Sequence, residues 1–135
     1  MKIVLDTNCL LPAVFPRSIY HWVWECFRNN YFTLCYTTEI IDEYEELLSR
    51  LYPPDMTENT MLLHINSYNV EKVIPHFKWN LIIADPDDNK FVDCAFNAGA
   101  DCIVTNDKHF NVLKNIDFPK INVVNIDNFK KIILH

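Results

Sequence analysis

One glycine, Gly99, serves the whole 135-residue chain, so no flexible Gly-rich linker divides it. No apolar run is long enough to span a membrane. The five cysteines (Cys9, Cys26, Cys35, Cys94, Cys102) are odd in number, form no CxxC pair and lie mostly inside apolar runs. This argues against a zinc ribbon or a disulfide frame and points to buried thiols in a reducing cytosol. The start, Met1-Lys-Ile-Val-Leu-Asp6, is too short and too soon acidic for a signal peptide and reads as a first strand. A cytoplasmic location is therefore expected. Basic residues are few, 12 against 18 acids, for a net charge of −6. Such a balance argues against gripping a long polyanion by bulk electrostatics. There is no internal repeat and no low-complexity segment. The length suits one domain, residues 1–135, and the 50% hydrophobic content suits a folded one.

What the chain does have is a dense acidic stretch, Asp85-Pro-Asp-Asp-Asn-Lys-Phe91. Three carboxylates, Asp85, Asp87 and Asp88, precede a helical pattern (Phe91, Val92, Cys94, Ala95, Ala98) that stops at Gly99. Asp101-Cys-Ile-Val-Thr105 follows as a short buried strand, with Asn106-Asp107 just beyond it. One or two of these acids suffice as helix caps. Three are more than a cap needs, and carboxylates gathered past strand ends repel unless a cation lies between them. Hard cations such as Mg²⁺ take such oxygen ligands.

The rest alternates strand and helix. Lys2–Leu5 is a continuous apolar strand suited to the middle of a parallel sheet, and Asp6-Thr-Asn8 lies at its carboxyl end. A plain capping turn explains Asp6, Thr7 and Asn8 equally well. Leu10–Pro16 reads as a helical turn and loop. Ser18 is expected to cap a helix reaching Asn29, with Ile19, Trp22, Val23, Cys26 and Phe27 inward. The aromatics around it suit core packing better than base stacking. Tyr31–Tyr36 is a strand. Thr37 or Thr38 caps a helix to Tyr52 with a stripe of Ile40, Ile41, Tyr44, Leu47, Leu48 and Leu51. Glu39 and Glu43 share one face of it, and solvation is the plain reading for Glu43. A helix over Thr57–Tyr68, with Met61, Leu62 and Ile65 inward, precedes a short strand over Val70–Ile74. After Asp107 come a helical turn at Phe110–Leu113, a last strand at Ile121–Asn125, and a terminal helix capped by Asp127 with Phe129, Ile132 and Ile133 inward. This order predicts a three-layer α/β/α sandwich on a largely parallel sheet.

Four stations in this order resemble the PIN-domain nucleases, and among them the small VapC-type toxins of toxin–antitoxin systems. They are Ile3-Val-Leu-Asp-Thr-Asn8, Thr38-Glu-Ile-Ile-Asp-Glu-Tyr-Glu-Glu-Leu47, Asp85-Pro-Asp-Asp-Asn-Lys-Phe-Val92 and Ile103-Val-Thr-Asn-Asp107. One such station alone is a weak signal; four in order across nearly the whole chain are specific. The resemblance implies a metal-dependent endoribonuclease in which Asp6, Glu43, Asp88 and Asp107 hold Mg²⁺ or Mn²⁺, as two ions, and carry catalysis. It places Asn8 and Thr105 as groups that orient those carboxylates. Asp87 and Asp85 compete with Asp88 for the third position. An RNA substrate, a protein antitoxin and a homodimer are the implied partners. No His or Cys stands in these stations, which argues against zinc. Bound metals would offset part of the negative charge. Only Lys90 and Lys108 adjoin the stations, so the substrate surface is undefined at this level.

Three rival readings are a Mg²⁺-binding receiver, a haloacid-dehalogenase phosphatase, and a PIN fold that binds RNA or a partner without cutting. The first needs an acid after the middle strand, where Thr37-Thr38 stands. The second needs Asp-x-Asp where Asp6-Thr-Asn8 stands.

Overall fold

The computed structural model describes residues 1–134. Five strands form one sheet: β1 (Lys2–Leu5), β2 (Thr33–Tyr36), β3 (Val70–Lys72), β4 (Cys102–Val104) and β5 (Val123–Val124), in the order β3-β2-β1-β4-β5. Every neighbouring pair is parallel. Ile3, Val4 and Leu5 of β1 face Cys102, Ile103 and Val104 of β4, and all six are buried. Such strands carry no polar face because helices cover both sides. Six helices do so: α1 (Thr7–Val14), α2 (His21–Arg28), α3 (Thr38–Leu51), α4 (Pro54–Asn66), α5 (Asn89–Ala98) and α6 (Ile126–Ile133). The result is the expected α/β/α sandwich on a parallel sheet.

Local chemistry sets the helix ends. Asp6 caps α1, Thr37 caps α3 and Asn125 caps α6, each accepting from a main-chain N–H in the first turn. Pro54 starts α4, where its missing N–H costs nothing. Gly99 closes α5 at φ +64, the left-handed conformation a side chain disfavours, so the lone glycine sits where one is needed. All five cysteines are buried and unpaired. Among the described residues no helix is long and apolar enough to cross a membrane.

Several sequence expectations shift. The first helix begins at Thr7 rather than Leu10 and runs through Pro12. The second starts at His21, because Ser18 turns the chain by accepting from Tyr20 N–H, and Ile19 is left exposed. The helix expected from Thr57 begins three residues earlier. Its buried side is Thr57, Thr60, Met61 and His64, so Leu62 and Ile65 are 49% and 52% exposed instead of inward. Apolar residues lie on several sides of this helix, and periodicity alone does not choose among them. Leu51 and Ile132 also end exposed, and Asn125 rather than Asp127 caps the last helix. The strands expected over Val70–Ile74 and Ile121–Asn125 shorten to three and two residues at the sheet's two edges. Trp24 packs on Phe27 at 5.1 Å inside the core.

His64 is fully buried among Phe27, Tyr36 and Tyr44, with ring centroids 5.8, 5.1 and 5.7 Å away and no hydrogen-bond partner on either ring nitrogen. Burial lowers its pKa from 6.5 to about 4. The unfolded chain takes up this proton below pH 6.5 and the folded chain only near 4. Its contribution to stability is therefore complete above pH 6.5 and is lost as pH falls towards 4. The loss should reach about 3 kcal/mol. Urea melts from pH 7.5 to 4.5 should show this slope in wild type and a flatter one in His64→Leu; equal slopes would place the acid sensitivity in other groups.

Candidate functional site

The sheet order reverses between β1 and β4, and ligands of parallel sheets bind outside the carboxyl ends of strands at such a point. The first residues past those ends are Asp6 and Thr105. Asp6 N–H donates to the Val104 carbonyl at 3.0 Å, and the Thr105 hydroxyl donates to Asp6 Oδ2 at 2.7 Å. The same hydroxyl accepts from Asp107 N–H at 3.0 Å. Asp6 Oδ1 accepts from the Asn8 main-chain N–H at 3.5 Å, while the Asn8 side chain is exposed. Burial lifts the Asp6 carboxyl above its ordinary range; the Thr105 and Asn8 hydrogen bonds oppose this, and the charges of Asp107 and Glu43 add to it.

Glu43 arrives on α3. Its neighbour Tyr44 is fully buried and donates its hydroxyl to the Leu5 carbonyl, which fastens α3 to the end of β1. Glu43 Oε2 accepts from the Thr7 hydroxyl. Its other oxygen, Oε1, lies 3.0 Å from Lys90 Nζ, and that ammonium also donates to the Asp87 carbonyl at 3.0 Å. The sequence names Thr7 as part of a capping turn and Lys90 as a cation beside the stations, but it pairs neither with Glu43. Both stand within two residues of a station acid, but only folding shows which carboxylate each one meets.

The acidic loop is a tight 3-10 turn, Pro86–Asp88, leading into α5. Asp85 shapes it by accepting from Asp87 N–H at 3.3 Å through its side chain and from Asp88 N–H at 3.1 Å through its carbonyl. Asn89 holds the preceding segment by a two-way amide pair with the main chain of Ile82, at 2.8 and 2.9 Å. Among the three clustered acids, Asp87 is exposed and Asp88 is buried, 8% exposed, with no hydrogen-bond partner for Oδ2. Burial first, then the charges of Asp85, Asp6 and Asp107, push the Asp88 pKa up to about 7. Asp107 begins a second 3-10 turn, Lys108–Asn115, and accepts from His109 N–H at 2.9 Å.

That turn brings in His109, a residue outside the four stations. His109 Nδ1 lies 3.5 Å from Asp107 Oδ1 and 3.9 Å from Asp88 Oδ2. Donor atoms of Asp85, Asp88 and His109 all fall within 4.8 Å of one another. The four stations themselves hold no histidine; His109 comes near them because a residue two places past a turn-capping acid folds back onto it. A cavity of about 280 Å³ opens beside Asp6, Asn8, Cys9, Asn106 and Asp107. The donors are hard oxygens with one imidazole, and a buried carboxylate oxygen lacks a partner. Both features fit a divalent cation.

The family model described as PIN domain matches residues 2–109. The chain belongs to the PIN domain family. No curated protein matches it. Among solved structures it is similar to VapBC2 from Rickettsia felis bound to a DNA fragment from their promoter, with a TM-score of 0.63 and 16% identity over 93% of this chain and 98% of that one. At that identity the likeness shows the PIN fold alone. A receiver would order its strands 2-1-3-4-5, and this PIN domain does not.

Asp88→Asn tests the electrostatics. A folded-state pKa of about 7, above the ordinary 3.8, means that the folded protein holds this proton more tightly than the unfolded chain. Stability is therefore present below about pH 4 and declines as pH rises through 7. Asp88→Asn should then melt higher than wild type in chelator at pH 8, by on the order of 1 kcal/mol after solvent screening, with a smaller gain at pH 5. A variant that melts lower at pH 8 would show that the Asp88 charge is not under repulsion.

Proposed function

We propose that this PIN domain is a metal-dependent endoribonuclease of the VapC type, the toxin of a toxin–antitoxin pair acting in the cytoplasm. The observation that carries the reading is Asp88: a buried carboxylate oxygen without a partner, repelled by Asp6, Asp85 and Asp107 at the carboxyl ends of the central strands. A bound cation would resolve that conflict. Asp6, Asp88 and Asp107 are the residues that would hold Mg²⁺ or Mn²⁺, with Glu43 completing the catalytic set. When bound, such ions neutralise charge gathering on a phosphate and lower the pKa of water.

The chain's own groups do the positioning. Thr105 holds Asp6 in one orientation through its hydroxyl and receives Asp107 N–H on the same oxygen. Thr7 and Lys90 hold the two oxygens of Glu43. Asp85 sets the turn that aims Asp88. Substrate access is supported by a polar groove of about 440 Å³ that adjoins Thr105 and Asp107 at the ends of β4 and β5 and carries Lys108, Lys114, Asn111 and Asp127. Two ammonium groups beside the acids suit a nucleic-acid backbone, which a net charge of −6 would otherwise repel. The structural likeness to VapBC2 supports an antitoxin partner, and a homodimer belongs to the same proposal.

Two outcomes are expected. Labelled RNA should be cut in Mn²⁺ or Mg²⁺ and spared in chelator, and Asp6→Asn should cut at least about a hundredfold more slowly, the scale of losing a group that organises transition-state charge. Chelator-resistant cleavage, or full activity in Asp6→Asn, would sink the metal mechanism. Expression alone in a bacterium should slow growth, and Asp88→Asn should relieve it. Identical growth curves for the two proteins would remove the toxin assignment.

A further inference from the structure

We propose that His109 is a metal ligand of this centre, joining Asp88 and Asp85 in a mixed nitrogen and oxygen donor set that favours Mn²⁺ over Mg²⁺. The inference rests on the metal-centre reading above and adds to it a histidine and a choice of metal. Its first ground is distance. His109 Nδ1 stands 3.9 Å from Asp88 Oδ2 and 3.5 Å from Asp107 Oδ1. Both separations exceed a strong direct hydrogen bond, which falls near 2.7–3.2 Å. Two donors on one ion at about 2.1 Å each lie roughly 3–4.2 Å apart, depending on the angle between them. The 3.9 Å spacing to Asp88 falls in that range, and the Asp85, Asp88 and His109 donors, all within 4.8 Å of one another, need close by only about half an ångström to share one ion.

The second ground is the state of the other donors. Both oxygens of Glu43 are engaged, one by Thr7 and one by Lys90. Each oxygen of Asp6 accepts one hydrogen bond, from Thr105 and from Asn8, and keeps a lone pair for an ion. Asp88 is nine-tenths buried, and its Oδ2, the atom nearest the imidazole, has no partner. Asp85 uses one side-chain oxygen for Asp87 N–H and keeps the other. The third ground is how the imidazole is held. His109 N–H donates to Asp107 Oδ1, so the 3-10 turn delivers the ring to the carboxylates from the solvent side. The fourth is chemistry. Mg²⁺ prefers an all-oxygen shell and sheds water reluctantly, whereas a neutral imidazole nitrogen gives transition ions an advantage over it.

The test uses the full chain loaded with Mn²⁺ alone, without RNA, and reads pulsed electron paramagnetic resonance. Wild type should show the coupling of a directly bound imidazole ¹⁴N, replaced by a ¹⁵N pattern when the histidines are ¹⁵N-labelled. His109→Ala should lose the signal, and Mg²⁺ should displace its Mn²⁺ at roughly tenfold lower concentration than in wild type, the scale of losing one ligand-sphere contact. Labelling needs no substitution, so the result stands even if the variant folds poorly. Bound Mn²⁺ with no nitrogen coupling, or the same coupling in His109→Ala, overturns the ligand role of His109 and leaves a carboxylate centre standing. No Mn²⁺ binding by wild type overturns both readings.

Discussion

The hydrogen bond from Thr105 to Asp6, 2.7 Å long, joins the carboxyl ends of the two central strands where the sheet changes direction. Much of the site depends on it. Asp6 is also the cap of α1, so the same carboxylate sets where that helix starts. Thr105 also receives Asp107 N–H, so the same hydroxyl sets the turn that carries the last acid and His109. On the other side of β1, the Tyr44 hydroxyl on the Leu5 carbonyl brings α3 and Glu43 to the same strand end. Main-chain and side-chain bonds at two adjacent strand ends thus aim three of the acids.

The cost of this arrangement is repulsion, distributed unevenly. Glu43 is compensated by a nearly buried ammonium and a hydroxyl. Asp6 is compensated by Thr105 and by the start of α1. Asp88 Oδ2 has no hydrogen-bond partner, and burial with the charges of Asp85, Asp6 and Asp107 pushes its pKa up to about 7. A domain selected for stability alone would place an apolar side chain there, since burying an unsatisfied carboxylate destabilises the fold. Retaining the acid makes sense where a ligand supplies the missing charge, and proteins commonly give up stability at such places.

The polar groove beside the acids follows from the same strand ends. β5 is short, and the turn after β4 and the start of α6 leave an opening between them. Lys108 and Lys114 line it although they are six residues apart and neither stands within the acidic stretch. A chain that is acidic as a whole therefore places two ammonium groups next to its acids, in a groove that Asp107 and Asp127 also line.

The alternation of strand and helix, the buried central strands, the Gly99 stop and the four acidic stations were legible in the residues. Each is written in local pattern: continuous apolar runs, caps, and acids placed just past strand ends. Which face of α4 turns inward was not, because Leu62, Leu63 and Ile65 lie on several sides of the helix and the neighbouring α3 decides the matter. The choice among Asp85, Asp87 and Asp88 was not legible either. Three acids within four residues look alike in sequence, and only the 3-10 turn separates an exposed Asp87 from a buried Asp88. The pairing of Lys90 with Glu43 and the return of His109 to Asp88 join residues 47 and 21 positions apart. Sequence by itself determined the fold class and the supply of carboxylates, because both follow from short-range patterning. The tertiary structure decided which charges are neutralised and which remain exposed to one another, because Coulomb interactions depend on separation in space and on burial, and neither is written along the chain.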